Sequence, residues 1–348
     1  MATLEIQCDV PLAPLTTLEL GGPAKHFIHV QDEATLIEAL RWAAAEGFSV
    51  AILGGGSNLI VPDEGYAGLV VHMRIAELEF GKDGIVHAAA GVPWEALVDG
   101  AVSRGWAGLE CLSGIPGLTG ATPIQNVGAY GQEVAEVIES VRVLRRDTLQ
   151  LEDLGPKQCA FGYRDSLFKR EPHRFIVCAV RFVLRPDGRG TTRYAELEQS
   201  VGIDASLDEI RRAVLDLRRR KSMVIDPEDP NRRSAGSFFL NPIVSAECAA
   251  RVVEYALRDD LVVTSADVPR YPVGDGTVKL AAGWLIEKAG IAKGTRRGAF
   301  GVSTKHALAL VHHGGGTTAG LLAFAGEIRD RVRDRFGIDL EQEPRLLS

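Results

Sequence analysis

Apolar positions along the chain follow two rhythms, and each predicts an element. Lys25–Val30, Ser49–Leu53 and Leu69–His72 are short apolar runs suited to buried strands. Between the first two, Leu36, Leu40 and Ala43 fall on one helical face over residues 33–46, and Gly47 stops the helix. From Pro93 onward, Trp94, Leu97, Val98 and Ala101 recur at i, i+3, i+4 and i+7. Val141–Leu144 and Phe175–Leu184 return to strand character. Ser206-Leu207-Asp208-Glu209 is a capping box that opens a helix with Ile210, Ala213, Val214 and Leu217 on its apolar face. Further helices are predicted near Ala246–Leu257, Ala282–Ala289 and Thr318–Arg335, the last burying Leu321, Phe324, Ala325, Ile328 and Val332. A strand-like tail, Gly337–Glu341, closes the pattern.

Two stretches interrupt these rhythms. Leu112–Gly131 is rich in Gly, Pro, Thr and Asn and almost uncharged. A long irregular segment is either functional or disordered, and disordered segments carry more charge, so an ordered loop around a ligand is expected. Ile225–Asn231 is dense in helix breakers and marks a domain boundary.

Composition narrows the classes. The 348 residues suggest two or three domains, and 46% apolar with 24% charged residues is ordinary globular composition. A net charge of −7 argues against a general binder of nucleic acid or anionic membranes. No apolar run reaches the ~18 residues of a membrane helix, and Met1-Ala2-Thr3-Leu4-Glu5 carries no leader signature. Cys8, Cys111, Cys159, Cys178 and Cys248 are scattered without a CxxC, as in a cytoplasmic protein with reduced, mostly buried thiols. His26 and His29 fall on opposite faces of a strand and His312-His313 reads as a strand end, so no metal site is assigned.

Candidate chemistry sits in four segments. Gly54-Gly55-Gly56-Ser57-Asn58 ends a strand and is either a backbone cradle for phosphate or a tight turn. It is neither a Walker loop nor a GxGxxG fingerprint, because Pro62-Asp63-Glu64-Gly65 follows where a helix would start. The run from Gly114 to Ala121, continuing through Gln125–Gly131, leaves room for a flat ligand. Ile115, Leu118, Ile124 and Val127 suit a simple surface loop poorly. In Phe161–Phe168, Arg164 is either a guanidinium for a substrate carboxylate or half of an ion pair with Asp165 or a distant acid. Ser234–Pro242 places Ser237 among small residues, without hydrolase spacing. Arg218–Lys221 is a solvated helix end or a site for a pyrophosphate.

Taken in order, GGGSNL, SGIPG, QNVGAYG, YRDS and AGSFF resemble the UDP-N-acetylenolpyruvoylglucosamine reductases of peptidoglycan synthesis. The likeness runs from Leu15–Gly22 to Leu340–Arg345. It implies an α+β, vanillyl-alcohol-oxidase-like (PCMH-type) FAD-binding fold of two subdomains plus a substrate-binding α+β third domain. The corresponding boundaries are 1–72, then 73–218 with 337–348, and 219–336 for the substrate domain. The tail is expected to return to the second FAD subdomain, so that Glu343 reaches a site shared with Ser237.

By the same resemblance, FAD is non-covalent, since the glycine turn has no histidine to attach it. NADPH reduces it, and hydride then passes to the enolpyruvyl group of a UDP-sugar. Gly54, Gly55, Gly56, Ser57 and Asn58 would hold the FAD pyrophosphate, and Ser113, Gly117, Gly120, Asn126 and Gly128 would wrap the flavin. Arg164, assisted by Glu343, matches the group that stabilises the developing enolate, and Ser237 matches the proton donor. Tyr194, Arg218, Lys221 and Asn241 match contacts to the sugar nucleotide. Tyr194 lies in a segment like the tyrosine insertion of the longer family subtype. Ser222-Met223-Val224-Ile225 departs from the family's short proline-containing linker, which leaves Arg220 or Arg219 as alternatives to Lys221. Neither nucleic acid nor membrane insertion is implied. A related flavin oxidase and a non-catalytic nucleotide-sugar binder are the competing readings.

Overall fold

The computed structural model describes residues 4–274 and 276–348; Met1–Thr3, where a leader was sought, lie outside them. The chain forms two compact units. The first takes residues up to Val10, Ala24–Gly56 and Tyr66–Ile225. The second takes Pro11–Pro23, Ser57–Gly65 and Asp226–Ser348.

The first unit contains two main sheets. In one, Gln7–Pro11, Pro23–Val30, Tyr66–Met73 and Val50–Leu53 lie side by side, and Tyr66–Met73 pairs in parallel with the strands on either side. The helix Glu33–Glu46 covers it, burying Leu36, Ala39, Leu40 and Ala43 against Ile28, Val30, Leu69 and Val71. Asp32 caps this helix by accepting from Thr35 N at 2.7 Å, and Gly47 ends it in the left-handed region at φ 74°. The second sheet orders Leu151–Leu154, Ile138–Arg145, Phe175–Val183, Ile85–Ala89 and Leu78–Phe80, all antiparallel. Its core residues Val86, Val141, Val180 and Phe182 share a cluster with Trp94, Leu97 and Val98 of the helix Trp94–Val102. Fully burying each side chain of this size contributes about 1.5–3 kcal/mol.

The predicted capping box is present: Ser206 and Glu209 cap each other's backbone at the start of Leu207–Arg220. That helix buries Ile210, Val214 and Leu217 with Cys111 and Leu197.

In the second unit, the helix Thr318–Phe336 supplies Leu321, Phe324, Ile328 and Val332 to a core shared with Phe238, Leu285, Ile286 and Leu310. Asp63 accepts from Thr318 N at 2.6 Å and from Ala319 N at 2.9 Å, so the turn after the glycine loop caps this helix.

The tail departs from expectation. Residues 337–341 form no strand, because Gly337 ends the long helix in the left-handed region; the ladder comes later, where Arg345–Leu346 pairs in parallel with Leu59–Ile60. Contacts group the tail with 226–336 and not with 73–218. The cause is direct pairing with the serine segment: Leu240 N donates to Glu341 O at 2.9 Å, and Glu343 N donates to Phe238 O at 2.9 Å.

Candidate active site

In the first unit, two glycine loops cross at close range. A Cβ on Gly55 would lie 2.9 Å from Gly117 Cα, a backbone atom that cannot swing away. Gly55 is exposed while Gly54 is half-buried, so the crossing leaves bare backbone at the end of the strand Val50–Leu53. The second loop is pinned from behind. Trp94 N donates to Gly117 O at 3.0 Å, Thr119 N to Val92 O at 2.8 Å, and Gly120 N to Ala90 O at 3.0 Å. The expectation of an ordered segment is met by this backbone accounting.

Two residues expected to touch the flavin use their side chains inside the protein. Ser113 is fully buried and its hydroxyl donates to Glu110 O at 2.7 Å. Asn126 Nδ2 donates to Glu133 Oε2 at 2.8 Å and to Gly162 O at 2.9 Å, while its Oδ1 accepts from Ala135 N at 3.1 Å. At these positions only the backbone remains for a cofactor.

The YRDS segment closes on the QNVGAYG segment. Gly162 and Asp165 form a tight turn that places Arg164 at φ 50°, in the left-handed region, where a non-glycine residue is strained. Its guanidinium donates to Asn126 O at 3.3 Å and to Gly128 O. The approach is close at Gly128: a Cβ there would lie 2.8 Å from Arg164 Nη1 and 3.0 Å from Gln132 O, so a larger residue would have to shift the guanidinium. Asp165 pairs with Arg170. Ser166 Oγ donates to Ile124 O at 2.6 Å, a further tie between the segments.

At the end of the helix Leu207–Arg220, three expected substrate residues gather. The rings of Tyr194 and Tyr130 meet edge to face at 5.5 Å, and Lys221 Nζ lies 6.0 Å from the Tyr130 ring. Lys221 also pairs with Glu196 at 2.7 Å. Arg218 turns inward: Nη2 donates to Met223 O at 2.6 Å, and Nε is buried without a hydrogen-bond partner. Burial lowers its pKa, offset by Tyr130 and Glu95. Tyr130 itself is pushed up to about 12, chiefly by burial. Arg219, by contrast, faces solvent and pairs with Asp216 at 2.9 Å.

In the second unit, Ser237 lies in a segment held by an isolated backbone bridge on each side. It bridges Ala309 on one side, where Phe238 N donates to Leu308 O at 2.7 Å. On the other side Phe239 bridges Gln342, and Glu343 N meets Phe238 O. Ser237 and Glu343 are thereby held one residue apart across a backbone pairing, both half-buried. Gly236, at φ 74°, turns the chain into this segment. The Ser237 hydroxyl has no hydrogen bond among the described residues. Asn241 Oδ1 accepts from Ala282 N at 2.9 Å, which caps the helix Ala282–Lys288. Ser57 O accepts from Thr17 Oγ1 at 3.5 Å, and Asn58 O from Arg345 N at 3.0 Å.

Reading the sequence passed over Tyr130 and the carboxylates that hold the loops. Glu95 Oε2 accepts from Gly114 N at 2.5 Å and Glu95 pairs with Arg211 at 2.6 Å, yet in sequence it is one more helix-surface acid. Nothing in its local spacing marks it, because its partners are distant in the chain. Among the described residues no group of three or more His, Cys, Asp or Glu could hold a metal ion, and no helix is long and apolar enough to cross a membrane.

A backbone cradle without side chains, beside a loop built of small residues, fits an extended dinucleotide. Consistent with it, a family model for an FAD binding domain matches residues 24–152. The fold is a PCMH-type FAD-binding fold with a further C-terminal domain, and the protein is an FAD-dependent oxidoreductase. A second model, the C-terminal domain of UDP-N-acetylenolpyruvoylglucosamine reductase, matches residues 227–347.

Similar proteins carry the same name. The UDP-N-acetylenolpyruvoylglucosamine reductase of Thermobifida fusca is 46% identical, covering 98% of this chain and 97% of its own. That of Streptomyces avermitilis is 47% identical, covering 97% and 93%. The crystal structure of the reductase from Thermus caldophilus is 26% identical and superposes with a TM-score of 0.67, covering 99% of this chain and all of the other. The chain belongs to the UDP-N-acetylenolpyruvoylglucosamine reductases, flavoenzymes of peptidoglycan synthesis.

Proposed function

We propose that this chain reduces the enolpyruvyl group of UDP-N-acetylglucosamine enolpyruvate to the lactyl group of UDP-N-acetylmuramate, using NADPH, with Ser237 as proton donor. The observation that carries the reading is the backbone pairing that holds Ser237 one residue from Glu343 and leaves the serine hydroxyl without a hydrogen bond among the described residues. FAD, when bound without a covalent link, supplies hydride to the enolpyruvyl carbon.

The chain's own groups supply the rest. Hydride addition to a carbon–carbon double bond conjugated with a carboxylate leaves an enolate, which needs positive charge nearby and a proton at the adjacent carbon. Arg164 offers that charge from a guanidinium already oriented by two carbonyls. Ser237 Oγ offers the proton, and Glu343 assists the charge stabilisation. Gly54–Asn58 holds the FAD pyrophosphate, and the backbone of residues 113–128 lines the flavin. Tyr194, Arg218 and Lys221 grip the uridine diphosphate. Arg218 suits a pyrophosphate because a partner for its buried Nε offsets an uncompensated cost. Lys221 is released from Glu196 at modest cost, the pair being partly solvated. Asn241 reaches the sugar through its amide nitrogen while its oxygen caps the helix. A cytoplasmic site of action goes with a nucleotide-sugar substrate and NADPH.

Ser237→Ala tests the assignment. NADPH-driven reduction of the flavin is expected to proceed at nearly the normal rate, and reoxidation by the enolpyruvyl substrate to slow by about 10²–10⁴-fold. Normal reoxidation by that variant would remove Ser237 from the mechanism.

A further inference from the structure

Glu110 is fully buried, and no ion pair reaches it among the described residues. A bare buried carboxylate is costly unless hydrogen bonds satisfy it. Three neutral donors do so here. Gly108 N reaches Oε2 at 2.7 Å, while Gln132 Nε2 and Thr191 N reach Oε1 at 3.1 and 2.9 Å. Cys111 reinforces the arrangement, with its N–H donating to Gln132 Oε1 at 3.0 Å and its thiol to Thr191 O at 3.2 Å.

These partners are far apart in sequence but close to one feature. Gln132 lies two residues after Tyr130, and Thr191 lies three residues before Tyr194. The carboxylate therefore ties together the two backbone segments whose aromatic rings meet edge to face at 5.5 Å. Its own carbonyl accepts from Ser113, at the start of the loop that crosses Gly55. The segment before Tyr194 has other ties at the surface, such as Arg193 to Glu136 at 3.4 Å, and exposed pairs of that kind hold little.

We infer that Glu110 is a positioning residue for substrate: by fastening Thr191 to Gln132 it sets the Tyr130–Tyr194 pair, and so the affinity for the uridine diphosphate moiety. The inference rests on the reading that Tyr194 contacts the sugar nucleotide. A carboxylate is needed because all its partners are donors. A glutamine at 110 would set an N–H against the N–H of Gly108, Thr191 or Gln132.

The test is a double-mutant cycle on the flavin-loaded enzyme, with Glu110→Gln, Tyr194→Ala and both together. The readouts are the substrate dissociation constant, followed by perturbation of the flavin band, and the rate of flavin reduction by NADPH. Glu110→Gln is expected to weaken substrate binding about tenfold, as for a lost buried hydrogen bond. In the Tyr194→Ala background the same substitution is expected to add nothing, since the tyrosine it acts through is gone. Additive losses, or unchanged affinity in Glu110→Gln, would overturn the inference. Should Glu110→Gln fail to retain flavin, Cys111→Ala takes its place in the cycle. That variant loses only the thiol contact to Thr191 O, and a two- to threefold, non-additive weakening is then expected; unchanged affinity overturns the inference. Failure of the unmodified enzyme to bind the enolpyruvyl nucleotide would count instead against the proposed substrate.

Discussion

The loops of the first unit and the serine segment of the second hold candidate groups by different means. Around Gly55 and Gly128 the site is made of missing side chains: at Gly55 backbone passes the backbone of Gly117 at a distance that no Cβ allows. The guanidinium there, of Arg164, is steered by two main-chain carbonyls. Around Ser237 the site is made of backbone pairing, with main-chain bonds to 308 on one side and to 343 on the other. A loop of that first kind tolerates no added volume and responds to it as a whole. A segment of the second kind leaves its outward side chain replaceable, so chemistry can be removed there without moving the frame.

Substitutions can break this contrast. The largest effect is expected from Gly55→Val, whose branched side chain has to displace the Gly117 backbone. The protein should fold but bind FAD at least about 100-fold more weakly, because separation of the two loops removes several cradle contacts at once. Titration of the apoprotein with FAD checks this, and normal affinity would show that the crossing does not shape the cofactor site.

Arg164→Lys comes next. Lysine keeps the charge but cannot span Asn126 O and Gly128 O, so the charge is no longer fixed. Substrate-driven flavin reoxidation should slow by ~10²-fold, near the 3 kcal/mol typical of a lost oxyanion donor. FAD affinity should stay within a few-fold. Weaker FAD binding with an unchanged reoxidation rate at saturating FAD would make Arg164 a part of the loop scaffold alone.

The smallest effect concerns stability. His72, in the first unit, is buried, with its Nδ1 unpartnered and the His29 ring 5.0 Å away. Burial foremost, then Arg74 and His29, lowers its pKa from 6.5 to about 4. The folded protein therefore holds it neutral where the unfolded chain takes up a proton. The contribution of this group to stability is full above pH 6.5, declines as pH falls toward 4, and is level below that. Denaturant unfolding of His72→Leu across this range should show a flatter pH dependence than the unmodified protein. An unchanged slope would place the acid sensitivity elsewhere.

Much of this was legible in the residues themselves. The helix over 33–46 was predicted to its ends, because Gly47 has no rival as a stop and the apolar spacing is unbroken. The Ser206–Glu209 capping box is likewise a local signal with a local outcome. The glycine segments announced a close approach, though the partner of Gly55 could not be read, since it lies 62 residues away. Ser113 and Asn126 were given to the flavin by the resemblance alone. Here the loop is closed from behind, and their side chains satisfy buried carbonyls and carboxylates. The strand of the tail was placed too early for a similar reason. The closeness of Glu343 to Ser237 was required by the resemblance, but the route, a pairing with Phe238, is long-range and leaves no trace in periodicity. Glu110 is invisible in sequence on the same grounds, as two of its partners lie 22 and 81 positions away.

The most direct test of the central claim is the visible absorption spectrum of the FAD-loaded protein under anaerobic conditions, before and after NADPH and then after the enolpyruvyl sugar nucleotide. The account predicts a flavin band that bleaches with NADPH and returns in full when the nucleotide is added. A band that bleaches and stays bleached would contradict the proposed substrate, and one that NADPH leaves untouched would contradict the proposed reductant.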